Sequence, residues 1–158
     1  MKDKALLKLL LDQERQLQFT RFDNETAIAI GTALIARGRR AKLPITVDVT
    51  RGEQQLFHMA LPGTSADNDH WVRGKNKVVY RFGHSSFYVG TALRVNGQTM
   101  EEKHLLSSHE YRAHGGAFPA IVKNVGVVGT ITVSGLPQED DHRLVVEAIE
   151  KHLAKPGR

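Results

Sequence analysis

The chain has 158 residues, 41% of them hydrophobic and 25% charged, with a net charge of +5. That length suits one domain with one real core, residues 1–158, in which folding buries roughly 70% of the unfolded surface. There is no cysteine, which excludes disulfides, thiolate metal sites and a cysteine nucleophile. The basic residues are scattered, and their one cluster, Arg37, Arg39, Arg40 and Lys42, falls at a predicted helix end. Cations there complement the helix dipole, and without a basic stripe interleaved with aromatics no nucleic-acid partner is expected.

Asp3 can cap a first helix running to about Leu17, with Leu6, Leu9, Leu10 and Leu17 on one side and Lys4, Lys8, Asp12 and Arg15 on the other. Leu7 and Leu11 widen the apolar stripe, so this helix can serve two surfaces, one of them on another subunit. Lys8 breaks the apolar run and Asp12 closes it, unlike a secretory segment. No stretch reaches the ~18 apolar residues of a membrane span. The expected location is the cytoplasm, with no membrane partner.

Gln18 to Phe22 alternates polar and apolar and reads as a short strand. Asp23 looks like the N-cap of a second helix, which stops near Gly38. Leu43 to Thr50 is a strand, Arg51-Gly52-Glu53 a turn and Gln54 to Ala60 a second strand, so the pair is a hairpin. Ser65 or Asp67 caps a third helix with Trp71, Lys75, Val78, Val79 and Phe82 on one face, and Gly83 ends it. On that face Trp71 reads as a core residue. Ser85-Ser86 caps a shorter helix, and Gly97 lies in a loop. Ser107 and Glu110 have capping-box spacing and imply a short helix through Tyr111. Phe118 to Val122 and Val127 to Val133 form a second hairpin around Lys123-Asn124-Val125-Gly126. Glu139, Asp140 and Asp141 open a terminal helix, where negative charge is favoured. Hairpins and interspersed helices give an α+β fold with an antiparallel sheet covered by helices.

Eight histidines stand at positions 58, 70, 84, 104, 109, 114, 142 and 152, and no two have the i, i+4 spacing of a helical metal pair. No metal site follows from spacing. His114-Gly115-Gly116 is either a flexible turn or a ligand-facing histidine beside a nest of backbone N–H groups, since paired glycines let backbone approach a ligand. Arg81-Phe82-Gly83-His84-Ser85-Ser86 combines a cation, a histidine, two hydroxyls and a helix N-terminus. It reads either as a helix stop and cap or as a site for a small anionic ligand. Ser134, Asp141 and His142 invite a hydrolase reading, but no G-x-S-x-G elbow exists. Adjacent Asp141 and His142 on a helix also diverge by about 100°.

Arg51-Gly52 through His58, Ala60 to Thr64, Asp67-Asn68, Arg81 to Gly83 with Ser85-Ser86, His114 to Gly116 with Phe118-Pro119, and Val133 to Gln138 with Asp141-His142 resemble one small uncharacterised protein family (UPF). That family is grouped with the haem-degrading domain proteins of the GlcG/HbpS-like superfamily. The resemblance spans most of the chain. It implies a profilin-like three-layer α/β/α fold around a five-stranded antiparallel sheet, a homo-oligomer, and a haem or tetrapyrrole cofactor with breakdown of haem as the associated activity. The residues chosen for such a ligand are His114 first, then Arg81, His58 and His142, with Ser85, Ser86, Gly115 and Gly116 beside them. The alternatives are a non-enzymatic oligomeric adaptor for a protein partner and an enzyme acting on a small anionic substrate.

Overall fold

The computed structural model describes residues 2–158. In chain order its elements are α1 (Lys2–Gln16), α2 (Asn24–Arg40), β1 (Thr46–Arg51), β2 (Gln54–Ala60), α3 (Ala66–Phe82), α4 (Ser86–Val95), α5 (Met100–His104), β3 (Ala117–Val122), β4 (Gly126–Ser134) and α6 (Gln138–Leu153). The strands form one four-stranded sheet in the order β2-β1-β4-β3, with every neighbouring pair antiparallel. No helix among the described residues is long and apolar enough to cross a membrane.

The two faces of the sheet differ because side chains alternate along each strand. On one face Val47, Val49, Ile131, Val133, Phe118 and Ala120 are buried with residues of α2 and α6 such as Ile30, Leu34, Val145 and Ile149. Each side chain of this size stabilises by roughly 1.5–3 kcal/mol when fully buried. The other face is polar and lies under α3. There Asp48 is 1% exposed and accepts hydrogen bonds from Gln55, from Asn76 of α3 and from His58. Thr132 donates in turn to the Asn76 amide oxygen. The result is three layers, α2 and α6, the sheet, and α3, with α4 beside α3 and α1 packed on α4.

Three of the N-capping signals act as read, whereas Asp3 lies within the first turn of α1 and does not cap it. Asp23 and Ser65 each close a capping box, Gly83 ends α3 at φ 72°, and Ser85 accepts from the Tyr88 N–H of α4. Four further expectations are corrected. The sheet has four strands, not five: residues 18–22 make only a single parallel bridge, Phe19 with Val122. Phe19 and Phe22 are both buried and meet edge-on at 5.1 Å, so this segment turns both rings inward instead of alternating. Second, α2 runs through Gly38 to Arg40. A Cβ at Gly38 would lie 2.7 Å from Leu61 and 2.9 Å from Ile45, so this glycine serves close packing, not termination. Third, Ser107 to Tyr111 is a turn closed by Tyr111 N–H on the Ser107 carbonyl. Fourth, the helix in this region is α5, whose capping box is Thr99 with Glu102.

Candidate functional site

The segment Arg112 to Gly116 leads into β3 and passes between α3 and α4. Both helices carry a glycine where it passes. A Cβ on Gly74 of α3 would meet the Arg112 side chain at 2.6 Å, and one on Gly90 of α4 would meet the Ala113 carbonyl oxygen at 2.0 Å. The Arg112 N–H donates to the Gly74 carbonyl. Interior helix glycines are unfavourable by up to ~1 kcal/mol each, and here they open a notch that holds the chain carrying His114.

The next two residues are pinned. Gly115 N–H donates to the Gln138 side chain at 3.0 Å, and a Cβ there would meet the Gln138 carbonyl at 2.4 Å. Gly116 has φ 142°, and a Cβ on it would lie 2.4 Å from the Val133 carbonyl and 2.6 Å from Lys75 Nζ. The adjoining Ala117 N–H donates to Ser86 Oγ at 3.0 Å. The paired glycines therefore form a tight, buried turn, and the histidine ahead of them is exposed.

Lys75 lies beneath this turn and is 3% exposed. Its ammonium donates to the Val133 carbonyl and to Asp141 Oδ2, both at 3.1 Å. Asp141 also accepts the N–H groups of Gly135 and Leu136. Burial lowers the Lys75 pKa against the opposing pull of Asp141, and burial raises that of Asp141 against the pull of Lys75. The pair ties α3, α6 and the β4–α6 loop together. It also settles the question of a triad: Asp141 faces Lys75 and not His142.

His114 packs its ring edge-on against Trp71 at 5.2 Å, and the Arg112 guanidinium lies over the Trp71 ring at 4.4 Å. Trp71 is half-buried and forms a wall here, so its expected core role is corrected. Two clefts meet at His114 and Gln138. One, of about 280 Å³, is lined by Asn68, Trp71, Lys75 and Asp141 among others. The other, of about 350 Å³, includes Leu93, Arg94, Met100 and Tyr111. Partial burial, followed by the charges of Lys75, Arg112 and Arg94, lowers the His114 pKa. Its imidazole is therefore neutral at neutral pH. It has no hydrogen-bond partner among the described residues.

The other nominated residues do not join this site. Arg81 is exposed on α3, about ten residues or roughly 15 Å of helix from Trp71. His58 lies across the sheet, with Nδ1 2.9 Å from Asp48 and Nε2 2.9 Å from Asp69. His142 is 4% exposed, between Phe87 and Phe118, and its Nε2 donates to Gln13. Ser85 caps α4 and donates its N–H to buried Glu14, while Ser86 anchors Ala117. Among the described residues no three His, Asp or Glu side chains gather as a metal would need. The residues missed by sequence reasoning are Lys75, Arg94, Arg112 and Gln138. The interior helix glycines Gly74 and Gly90 were the available signal, because such positions point to close approach by another segment.

The chain is thus a three-layer α+β fold with an exposed histidine where two clefts meet. The model of the haem-degrading protein HbpS-like family matches residues 22–150, and the chain belongs to that family. It is 50% identical to a UPF0303 protein of Streptomyces coelicolor over 146 residues, 92% of each chain. Its fold is similar to that of the solved Ybr137w protein, with a TM-score of 0.85 at 32% identity, covering 92% of this chain and 86% of that one. A solved complex of PduOC with haem shares the fold at a TM-score of 0.63 and 15% identity, covering 77% and 88%.

Proposed function

We propose that this chain binds haem or a related tetrapyrrole at the His114 turn. The observation that carries the reading is the His114 imidazole, unbonded and kept neutral, where two clefts meet. A neutral imidazole nitrogen is an iron ligand. Arg112 and Arg94 bear on the same ring and are suited to the two propionates of a haem. Trp71 on one side and Leu93, Met100 and Tyr111 on the other offer apolar cover. Each cleft lies near the lower end of the roughly 300–1,000 Å³ usual for ligand sites, so a macrocycle needs both. The family's description as haem-degrading and the haem complex of PduOC support the same reading.

When bound, haem would supply the redox chemistry of its iron. The chain's own contribution is narrower. His114 holds, the arginines neutralise, and the glycine notch fixes the histidine's height above Lys75. The reading extends to a homo-oligomer. β2 is an open sheet edge, and Leu9, Met59, Leu105 and Val125 are exposed apolar side chains.

The test is an absorbance titration of tag-free protein with haemin, beside His114→Ala, with the mass of both followed by light scattering. Saturable binding with a defined Soret band, weakened about tenfold or more in the variant, is expected for a lost axial ligand. Unsaturable uptake, equal in the variant, would overturn the reading and favour the protein-binding alternative.

A further inference from the structure

The motif Arg81 to Ser86 is not absorbed by the His114 site. It borders a different cleft, of about 200 Å³, between the end of α3, α4 and α5. Phe82, Tyr88, Val89, Ala92 and Leu93 form its floor and walls, and its lining is mainly apolar. His84, Lys103 and His104 also line it. We propose that this cleft binds a small amphipathic monocarboxylate, with its chain on the apolar floor and its carboxylate at the basic side chains.

Three observations carry this. The first is shape and chemistry: the cleft is half-open, and apolar side chains from two helices, Phe82 of α3 and Tyr88, Val89, Ala92 and Leu93 of α4, line it. An apolar cleft with a few polar groups is the usual form of a small-ligand site. The second is the orientation of His84. Its Nδ1 lies 2.7 Å from Glu14 Oε1, so Nε2 is left as the outward nitrogen. Glu14 is buried and also accepts the Ser85 N–H, which fixes the ring, and Tyr88 stacks on the ring at 4.6 Å. The hydrogen bond to Glu14 raises the His84 pKa, which favours the charged ring, the form whose outward Nε2–H can donate.

The third is charge. Lys103 and Arg81 both act on His104, whose ring rests on Phe82 at 4.5 Å. Neither cation makes an ion pair among the described residues. His104 is held below its ordinary pKa by burial first and by these cations next. His84, Lys103 and His104 therefore line one mainly apolar cleft, with Arg81 close enough to act on His104. The carboxylate of an alkanoic acid meets them, and its chain displaces water from the floor.

Leu93 and Gln98 line both this cleft and the one beside His114. The experiment therefore has to separate the two. Isothermal titration calorimetry with sodium octanoate is run on the wild type and on Lys103→Ala, Ala92→Phe and His114→Ala, each checked for folding by circular dichroism. One saturable site is expected. It should weaken up to about fivefold in Lys103→Ala, the range for one exposed ion pair. It should be abolished in Ala92→Phe, which fills the floor, and be unchanged in His114→Ala. Octanol, with the same chain and no charge, should bind more weakly than octanoate. Absence of saturation would overturn the proposal. So would binding indifferent to Ala92→Phe, or equal affinity for octanol. Loss of binding in His114→Ala would assign the octanoate to the haem cleft instead. A change of oligomeric mass in Ala92→Phe with no octanoate binding to the wild type would show that a second copy of the chain fills the recess.

Discussion

His142 offers a test of burial that needs no ligand. Its side chain is 4% exposed, its Nε2 donates to Gln13, and its Nδ1 is buried without a partner. Burial lowers its pKa from 6.5 to about 4. The unfolded chain therefore takes up the proton first as pH falls. Stability from this group is fully present above pH 6.5 and is lost as pH falls through the window from 6.5 to about 4. The window spans 2.5 units, which at 1.36 kcal/mol per unit is about 3 kcal/mol. That is a large fraction of the ~5–15 kcal/mol that holds a domain together. Urea unfolding of the wild type and of His142→Gln, followed from about pH 7.5 to about pH 4.5, reads it directly. The variant is expected to be less stable at neutral pH and to close that gap by about 2–3 kcal/mol at the acid end. Other carboxylates titrate in the same range, but they are common to both proteins and cancel in the difference. A gap that stays constant across the range would refute the argument that burial keeps this ring neutral.

Two further predictions follow from the His114 surroundings. Asp141→Ala leaves the Lys75 ammonium buried without its carboxylate, and a broken buried pair costs about 3–5 kcal/mol. Lys75→Met combined with Asp141→Leu removes both charges, and urea melts should place it above Asp141→Ala. A double variant no more stable than Asp141→Ala would mean that the Gly135 and Leu136 N–H groups, not Lys75, are what Asp141 serves. Gly90→Ala puts a methyl group 2.0 Å from the Ala113 carbonyl, so the notch must open. Overpacking of this kind costs about 1–3 kcal/mol. Haemin affinity should fall with it although Gly90 offers no ligand group, and unchanged affinity and melting would remove the notch from the account.

Local signals were legible where local physics decides. Asp23, Ser65 and Ser85 each satisfy N–H groups within a few residues, and Gly83 needs only its own positive φ, so caps and stops stand out along the chain. The β1–β2 and β3–β4 hairpins were legible for the same reason. Features set by distant partners were not. Phe19 and Phe22 look like alternate strand positions until β3 and α6 arrive to bury both rings. Lys75 shares a helix face with Trp71 and Val78 in the sequence, but nothing local says what holds its charge there, because its acceptors, Val133 and Asp141, lie 58 and 66 residues away. Trp71 reads as core because a helix face carries no label saying which neighbour will cover it, and here Arg112 does. Of the nominated site, His114, Gly115 and Gly116 stay together because they are adjacent in the chain. Arg81, His58 and His142 disperse because similar motifs along a sequence carry no information about distance between elements.

The polar layer beneath α3 has a mechanical consequence. Apolar packing resists a shift by shape alone, but Asn76 adds direction, because it donates to Asp48 and accepts from Thr132. A slip of one residue would rotate every α3 side chain by about 100° and leave Asp48 facing the wrong group. The same rod carries Trp71 toward its N-terminal end and Phe82 at the other. Two clefts on different parts of the molecule are thus indexed by a single latch between them, and loosening Asn76 would misalign both together.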